Sequence, residues 1–129
     1  MEPVRPSEAG DDIRRRTFQF ACRVVALCKV LHATPGVARV LVPQLINCAT
    51  SVAAMLEEAR AAESRRDFMS KCAISLKECR EAHVRLRICR DSQLGPNAET
   101  NALCQEANEL IAIITAIIRN TRRNAARAP

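Results

Sequence analysis

The chain has 129 residues, 48% of them hydrophobic, with seventeen Arg and three Lys against fourteen acids and a formal charge of +6. That length suits one domain and is enough for a core of its own without disulfide or metal staples. With no Trp, no Tyr, three Phe and three Gly, the interior must be built from Leu, Ile, Val, Ala and Cys, which predicts closely packed helices rather than a sheet, and the positive balance favours polyanions or acidic proteins as partners.

Residues 1–13 read as a flexible N-terminal arm, since Pro3, Pro6, Gly10 and mixed charges offer little to bury. Residues 14–124 read as the helical domain and 125–129 as a basic tail. Arg14, Arg15 and Arg16 form a cationic run at the head of the first helix, suited to phosphate contact or to a solvated surface. Helix one spans roughly Thr17 to Ala33, with Phe20, Val24, Leu27 and Leu31 as its stripe and Phe18, Ala21, Val25 and Cys28 beside it. That arc exceeds what one core needs, so the helix has apolar surface for a second contact.

Thr34-Pro35-Gly36 stops the first helix. Because Pro43 is comfortable only in a first turn, helix two begins either near Val42 or near Val37 with a bend. Leu41, Leu45, Cys48, Val52, Leu56 and Ala59 make its inward stripe, with Ser51, Met55 and Glu58 on an adjoining flank.

The third helix, Ser64 to Arg90, carries the clearest pattern. Ser64 and Asp67 have N-cap spacing, and Phe68, Cys72, Leu76, Cys79, His83 and Leu86 share one arc. Asp67 with Lys71 and Glu81 with Arg85 have ion-pair spacing. Ile74, Val84 and Ile88 lie on the opposite side, where an isolated domain would show polar groups, so they are expected at a subunit contact. Arg66, Lys77, Arg80 and Arg87 border that face as a candidate cationic strip.

Leu94-Gly95-Pro96-Asn97 is a turn with Gly95 as its left-handed stop. Helix four follows to about Arg123, with Leu103, Ala107, Leu110, Ile114 and Ile117 inward. Ile111, Ile113 and Ile118 widen the stripe and join the expected interface. Arg119, Arg122, Arg123 and Arg127 close the chain without an acid after Glu109, so the first three join the candidate nucleic-acid or partner surface.

Seven Cys is an odd count without a C-x-x-C pair, and the N-terminus lacks a secretory pattern. A reducing cytoplasm and cysteines acting as small hydrophobes are expected. The longest aliphatic run, Leu110 to Ile118, falls short of the ~20 residues that cross a bilayer, so no membrane partner is expected. No nucleophile with a base, Gly-rich phosphate loop or Glu-x-x-His pair is found. The expectation is a non-enzyme without cofactor or metal, with His83 a core residue.

The segments Ser51-Val-Ala-Ala-Met-Leu-Glu-Glu58, Ser64-Arg-Arg-Asp67-Phe68-Met-Ser-Lys71, Ile74-Ser-Leu-Lys-Glu78 and Glu81 carry a resemblance, as does Glu106-Ala-Asn-Glu-Leu-Ile-Ala-Ile-Ile114. They resemble the bacterial four-helix-bundle family that includes proteins encoded in intervening sequences of large-subunit ribosomal RNA genes. Met55 stands where the family pattern has Asn, Ser75 where it has Ala, and Arg85 where many members have Trp. The resemblance implies an all-α, antiparallel up-down bundle assembling into a ring, a homopentamer. It implies that Ser51, Glu58, Ser64, Asp67, Phe68, Lys71, Glu78 and Glu81 are structural keys. The same fold includes accessory proteins of diversity-generating retroelements, which bind a reverse transcriptase and nucleic acid. Binding of RNA or a ribonucleoprotein through the Arg-rich surfaces is the leading expectation, with DNA a further candidate partner, and a protein-interaction adaptor, such as one for a reverse transcriptase, is the alternative.

Overall fold

The computed structural model describes residues 6–127, which form α1 (Pro6–Ala33), α2 (Val37–Arg60), α3 (Arg65–Asp91) and α4 (Asn97–Arg127), with no strand among the described residues. Helix one starts earlier than the sequence suggests. Proline lacks the N–H that a first helical position leaves unused, and α1 begins at Pro6. The arm expected over residues 1–13 is therefore corrected, because residues 6–12 are helical and Ile13 is buried. Residues 1–5 lie outside the described part. At the other end α4 continues to Arg127 and takes in most of the expected tail, while residues 128–129 lie outside the described part.

Of the two starts open for helix two, Val37 is the one found, with Gly36 as N-cap at φ 103 and Pro43 inside the helix. Pro43 cannot donate to the Arg39 carbonyl one turn back. Both residues are exposed, so solvent can serve that carbonyl. The expected cap of α3 forms: Ser64 Oγ accepts from the Asp67 N–H at 3.0 Å, and the Asp67 carboxylate accepts from the Glu63 N–H at 3.4 Å. Its C-terminus corrects the expected stop at Gly95. Gln93 takes the left-handed conformation, at φ 57, and donates to the Arg90 carbonyl at 3.2 Å, while Leu94 donates to the Cys89 carbonyl at 2.8 Å. Those two bonds satisfy carbonyls that a helix end leaves open. Gly95 also has positive φ, at 78, two residues past the left-handed Gln93.

The helices pack in cyclic order, α1 on α2, α2 on α3, α3 on α4 and α4 on α1. Polar partners descend on one helix as they rise on the next. Arg16 meets Glu106 while Arg23 meets Glu99, and Gln44 meets Arg85 while Val52 meets Ser75 and Glu58 meets Lys71. Phe20, Leu31, Leu45, Leu86, Leu103, Leu110 and Ile114 form the fully buried centre. On α3 the buried line is Cys72, Ser75, Cys79, Ala82, Leu86 and Cys89, so the expected stripe is rotated toward small residues. Phe68, Leu76 and His83 sit half-buried at its margin. The Ser75 hydroxyl is tolerated inside because it donates to the Val52 carbonyl at 2.8 Å across the α2–α3 contact.

Six of the seven free cysteines are buried, and Cys22 is exposed. Burial pushes the Cys28, Cys48 and Cys72 thiols up to about 11 and Cys79 up to about 12, which keeps them protonated and poorly nucleophilic. By length and composition alone α2 and α4 are apolar enough to cross a membrane, which the short Leu110–Ile118 run concealed. Each helix gives one face to the interior, where Leu45, Val52, Leu103 and Leu110 have no exposure.

Candidate nucleic-acid interface

The expected cationic residues divide between one end of the molecule and the outer side of α3. Arg14 and Arg15 lie near the start of α1, Arg66 in the first turn of α3, and Arg119, Arg122 and Arg123 in the last turns of α4. These helix ends meet around a cleft of about 410 Å³, whose apolar wall includes Ile13, Leu56, Phe68 and Ile117 and whose polar groups include Arg14, Asn120 and Asn124. The α4 arginines also complement the negative end of their helix. Lys77, Arg80 and Arg87 lie farther along α3 and belong to a different patch.

Arg16 is withdrawn from the expected surface. Its Nη2 donates to Glu106 Oε1 at 2.6 Å and to Glu109 Oε2 at 2.8 Å, and its Nε to Glu106 Oε2 at 3.2 Å. Hydrogen bonding to Glu106 raises its pKa above the ordinary guanidinium value, against the opposing effect of burial. Arg16 therefore ties α1 to α4. Arg14 and Arg15 pair with Asp11 and Asp12 one turn back, exposed contacts that a phosphate can displace. Arg66, Lys77, Arg80, Arg87, Arg119, Arg122 and Arg123 are exposed, and the ion pairs found among the described residues include none of them.

Ile74, Val84 and Ile88 are 39%, 49% and 46% exposed, a sizeable apolar surface on the outside of α3. Ile111 and Ile113 are half-buried against the core, and Ile118 is buried within it. Ile118 is thus removed from the expected interface: α4 turns it toward its own neighbours. The exposed apolar residues that the site expectation missed are Val30, Val37 and Val40, and Phe18 is exposed as well. Phe18 and Val30 supply the surplus foreseen on helix one.

The motif residues have separable jobs. Ser64 and Asp67 cap α3, and Phe68 packs against the core. Lys71 pairs across the helix contact with Glu58 at 3.9 Å rather than with Asp67, whose carboxylate faces the Glu63 amide. Ser51, Glu78 and Glu81 instead line a polar cleft between α2 and α3, together with Gln44, Asn47 and Arg85. Arg85 donates to Gln44 at 2.6 Å and to Glu81 at 3.3 Å. No group of His, Cys, Asp and Glu with metal-binding geometry occurs among the described residues.

Burial, and then the adjacent Glu81 carboxylate, hold Glu78 above its ordinary value of 4.5. A carboxyl with a raised folded pKa stabilises the fold fully below its unfolded pKa, and the contribution is lost as pH rises through the folded value. Glu78→Gln should therefore gain Tm relative to the parent as pH rises from about 4 to about 8. Parallel melting curves across that range would contradict this account.

The four helices, the mixed polar cleft and the cationic surfaces define an all-α protein with more surface than its own packing uses. Residues 11–116 match the family model for 23S rRNA-intervening sequence protein. The chain belongs to that family. A crystal structure from Bacteroides thetaiotaomicron VPI-5482, of a protein with unknown function from the S23 ribosomal protein family, is similar at 27% identity and TM-score 0.76. The similarity covers 82% of this chain and 97% of that one. No curated protein matches the chain.

Proposed function

We propose that this protein is a non-enzymatic, antiparallel four-helix bundle that assembles into a ring of identical subunits, a pentamer, in the cytoplasm and binds RNA or a ribonucleoprotein. The observation that carries the reading is the set of exposed guanidiniums at the end of α4 and along α3 that have no acidic partner among the described residues. Such groups neutralise phosphates and release counterions. The opposite running order of the polar partners supports the antiparallel topology, and exposed Ile74, Val84 and Ile88 support self-association. The family's description ties its members to ribosomal RNA genes.

Fluorescence anisotropy with structured and single-stranded RNA tests the binding. Affinity should fall roughly 10³-fold between about 50 and 200 mM salt if about six phosphates are neutralised. Replacing Arg119, Arg122 and Arg123 together with Ala should lower the slope by about three. Absence of binding at the lower salt overturns the reading. Light scattering tests assembly separately, and a monomer at micromolar concentration would remove the ring.

A further inference from the structure

Protein interiors leave few gaps larger than a water molecule, yet the molecule is open at the end where α1 and α3 begin. All four helices line the cleft of about 410 Å³ found there, a volume in the range of small-molecule sites. Ile13, Leu56 and Cys72 in its wall are buried, and Phe68, Ile113 and Ile117 are half-buried. Burial pushes the Cys72 thiol up to about 11, so it adds no charge to the wall. No Asp or Glu among the described residues lines the cleft.

The polar groups are few, and the one charge among the described lining residues is positive. Arg14 lies back over Gly10, where an added Cβ would come 3.2 Å from Nη1. The glycine thus makes room for a guanidinium on the rim of an apolar cleft. The Arg14 side chain is 23% exposed, and it spends Nη2 on Asp11, whose carboxylate is 68% exposed. A guanidinium has further N–H donors to give. Asn120 and Asn124, one turn apart on α4, add two exposed amides. The Thr121 hydroxyl already donates to the Ile117 carbonyl at 2.8 Å.

This set selects the chemistry of an occupant. Phosphates need only the exposed arginines and would leave the apolar wall in water. A cation would face Arg14. A neutral apolar molecule would cover the wall and leave the guanidinium partly dehydrated without an anion. A molecule with an apolar tail and one anionic head satisfies the wall and the rim together, and a carboxylate matches the guanidinium fork with two parallel hydrogen bonds. The wall is mostly branched aliphatic, which suits a flexible chain.

We infer that the cleft binds a free medium-chain fatty acid, with its tail against Ile13, Phe68, Ile113 and Ile117 and its carboxylate on Arg14. Asn120 and Asn124 stand at the mouth. The site goes beyond the RNA reading and does not depend on it.

Calorimetry of the full-length protein with octanoate, decanoate and dodecanoate should show one site per chain. Binding should tighten about fourfold for each added methylene until the cleft is full, and decanol should bind roughly tenfold more weakly than decanoate. Isoleucine methyl NMR signals of Ile13, Ile113 and Ile117 should shift, while those of Ile74 and Ile88 stay in place. Arg14→Gln should bring decanoate to the level of decanol. The alcohol comparison keeps the test valid if that variant fails to fold. Absence of binding at millimolar decanoate, equal affinity for decanol, or shifts confined to Ile74 and Ile88 overturns the assignment. If raising the protein concentration alone shifts the cleft methyls, the occupant is a second copy of the chain and the assignment fails. It fails equally if phosphatidylglycerol vesicles without free acid shift them, because the tail then comes from a membrane lipid. RNA binding at low salt is measured separately and can survive each of these outcomes.

Discussion

Phe20→Ala is expected to remove about 3–5 kcal/mol of stability. Phe20 is the largest of the fully buried side chains, 1% exposed, and its neighbours in the core are aliphatic or thiol groups. Truncating it removes apolar transfer energy and leaves a cavity that close-packed helices relax into only partly. Domains of this size are commonly stable by only ~5–15 kcal/mol, so urea unfolding should show a large fall in midpoint at nearly constant m. Phe18→Ala is the internal control. Phe18 is 64% exposed, and its loss should change stability by no more than about 0.5 kcal/mol in the monomer. Similar losses for both variants would mean that the packing of α1 is misassigned.

Gly95→Ala is expected to cost about 2–5 kcal/mol, from two sources that add. At φ 78 an L side chain is strained by about 1–2 kcal/mol. A Cβ there would also lie 2.9 Å from Leu27 Cδ1 and 3.4 Å from Leu31 Cδ2, and relieving such overpacking costs ~1–3 kcal/mol. The contributions separate experimentally, because Leu27→Ala removes the nearest atom. In that background the Gly95→Ala penalty should shrink toward the backbone share. An unchanged penalty would assign the whole effect to the turn.

Large apolar side chains at helical spacing were legible from sequence. Leu45, Cys48, Val52, Leu56 and Ala59 all lie where the α2 stripe put them, as do Phe20, Val24, Leu27 and Leu31 on α1. The face of α3 was harder to read because its inner line depends on Ser75 and Ala82, residues too small or polar to register in a hydrophobic pattern. Ser75 enters the core only because an acceptor on another helix meets it, and no local pattern contains that acceptor. The same limit explains Arg16, whose partners Glu106 and Glu109 lie on the far side of the chain from it in sequence. A cation is visible in a sequence; its neutralisation by folding is not. Pro6–Asp12 looked like an arm because its charges outweigh its apolar content, although Ile13 anchors the following turn in the core. Of the motif residues, the Ser64 cap was visible because it is local, whereas the meeting of Ser51, Glu78 and Glu81 in one cleft requires α2 to lie against α3.

The distribution of the thiols gives the protein an internal clock. A thiol reagent added to the native protein should modify Cys22 first, since the other six sulfurs are buried and those of Cys28, Cys48, Cys72 and Cys79 are also held protonated. Each later adduct then records an opening event, and its helix identifies what opened. Cys104 belongs to α4 and Cys48 to α2, while Cys72, Cys79 and Cys89 mark three levels along α3. Mass spectrometry of a labelling time course would thus distinguish fraying at the ends of α3 from separation of the whole helix.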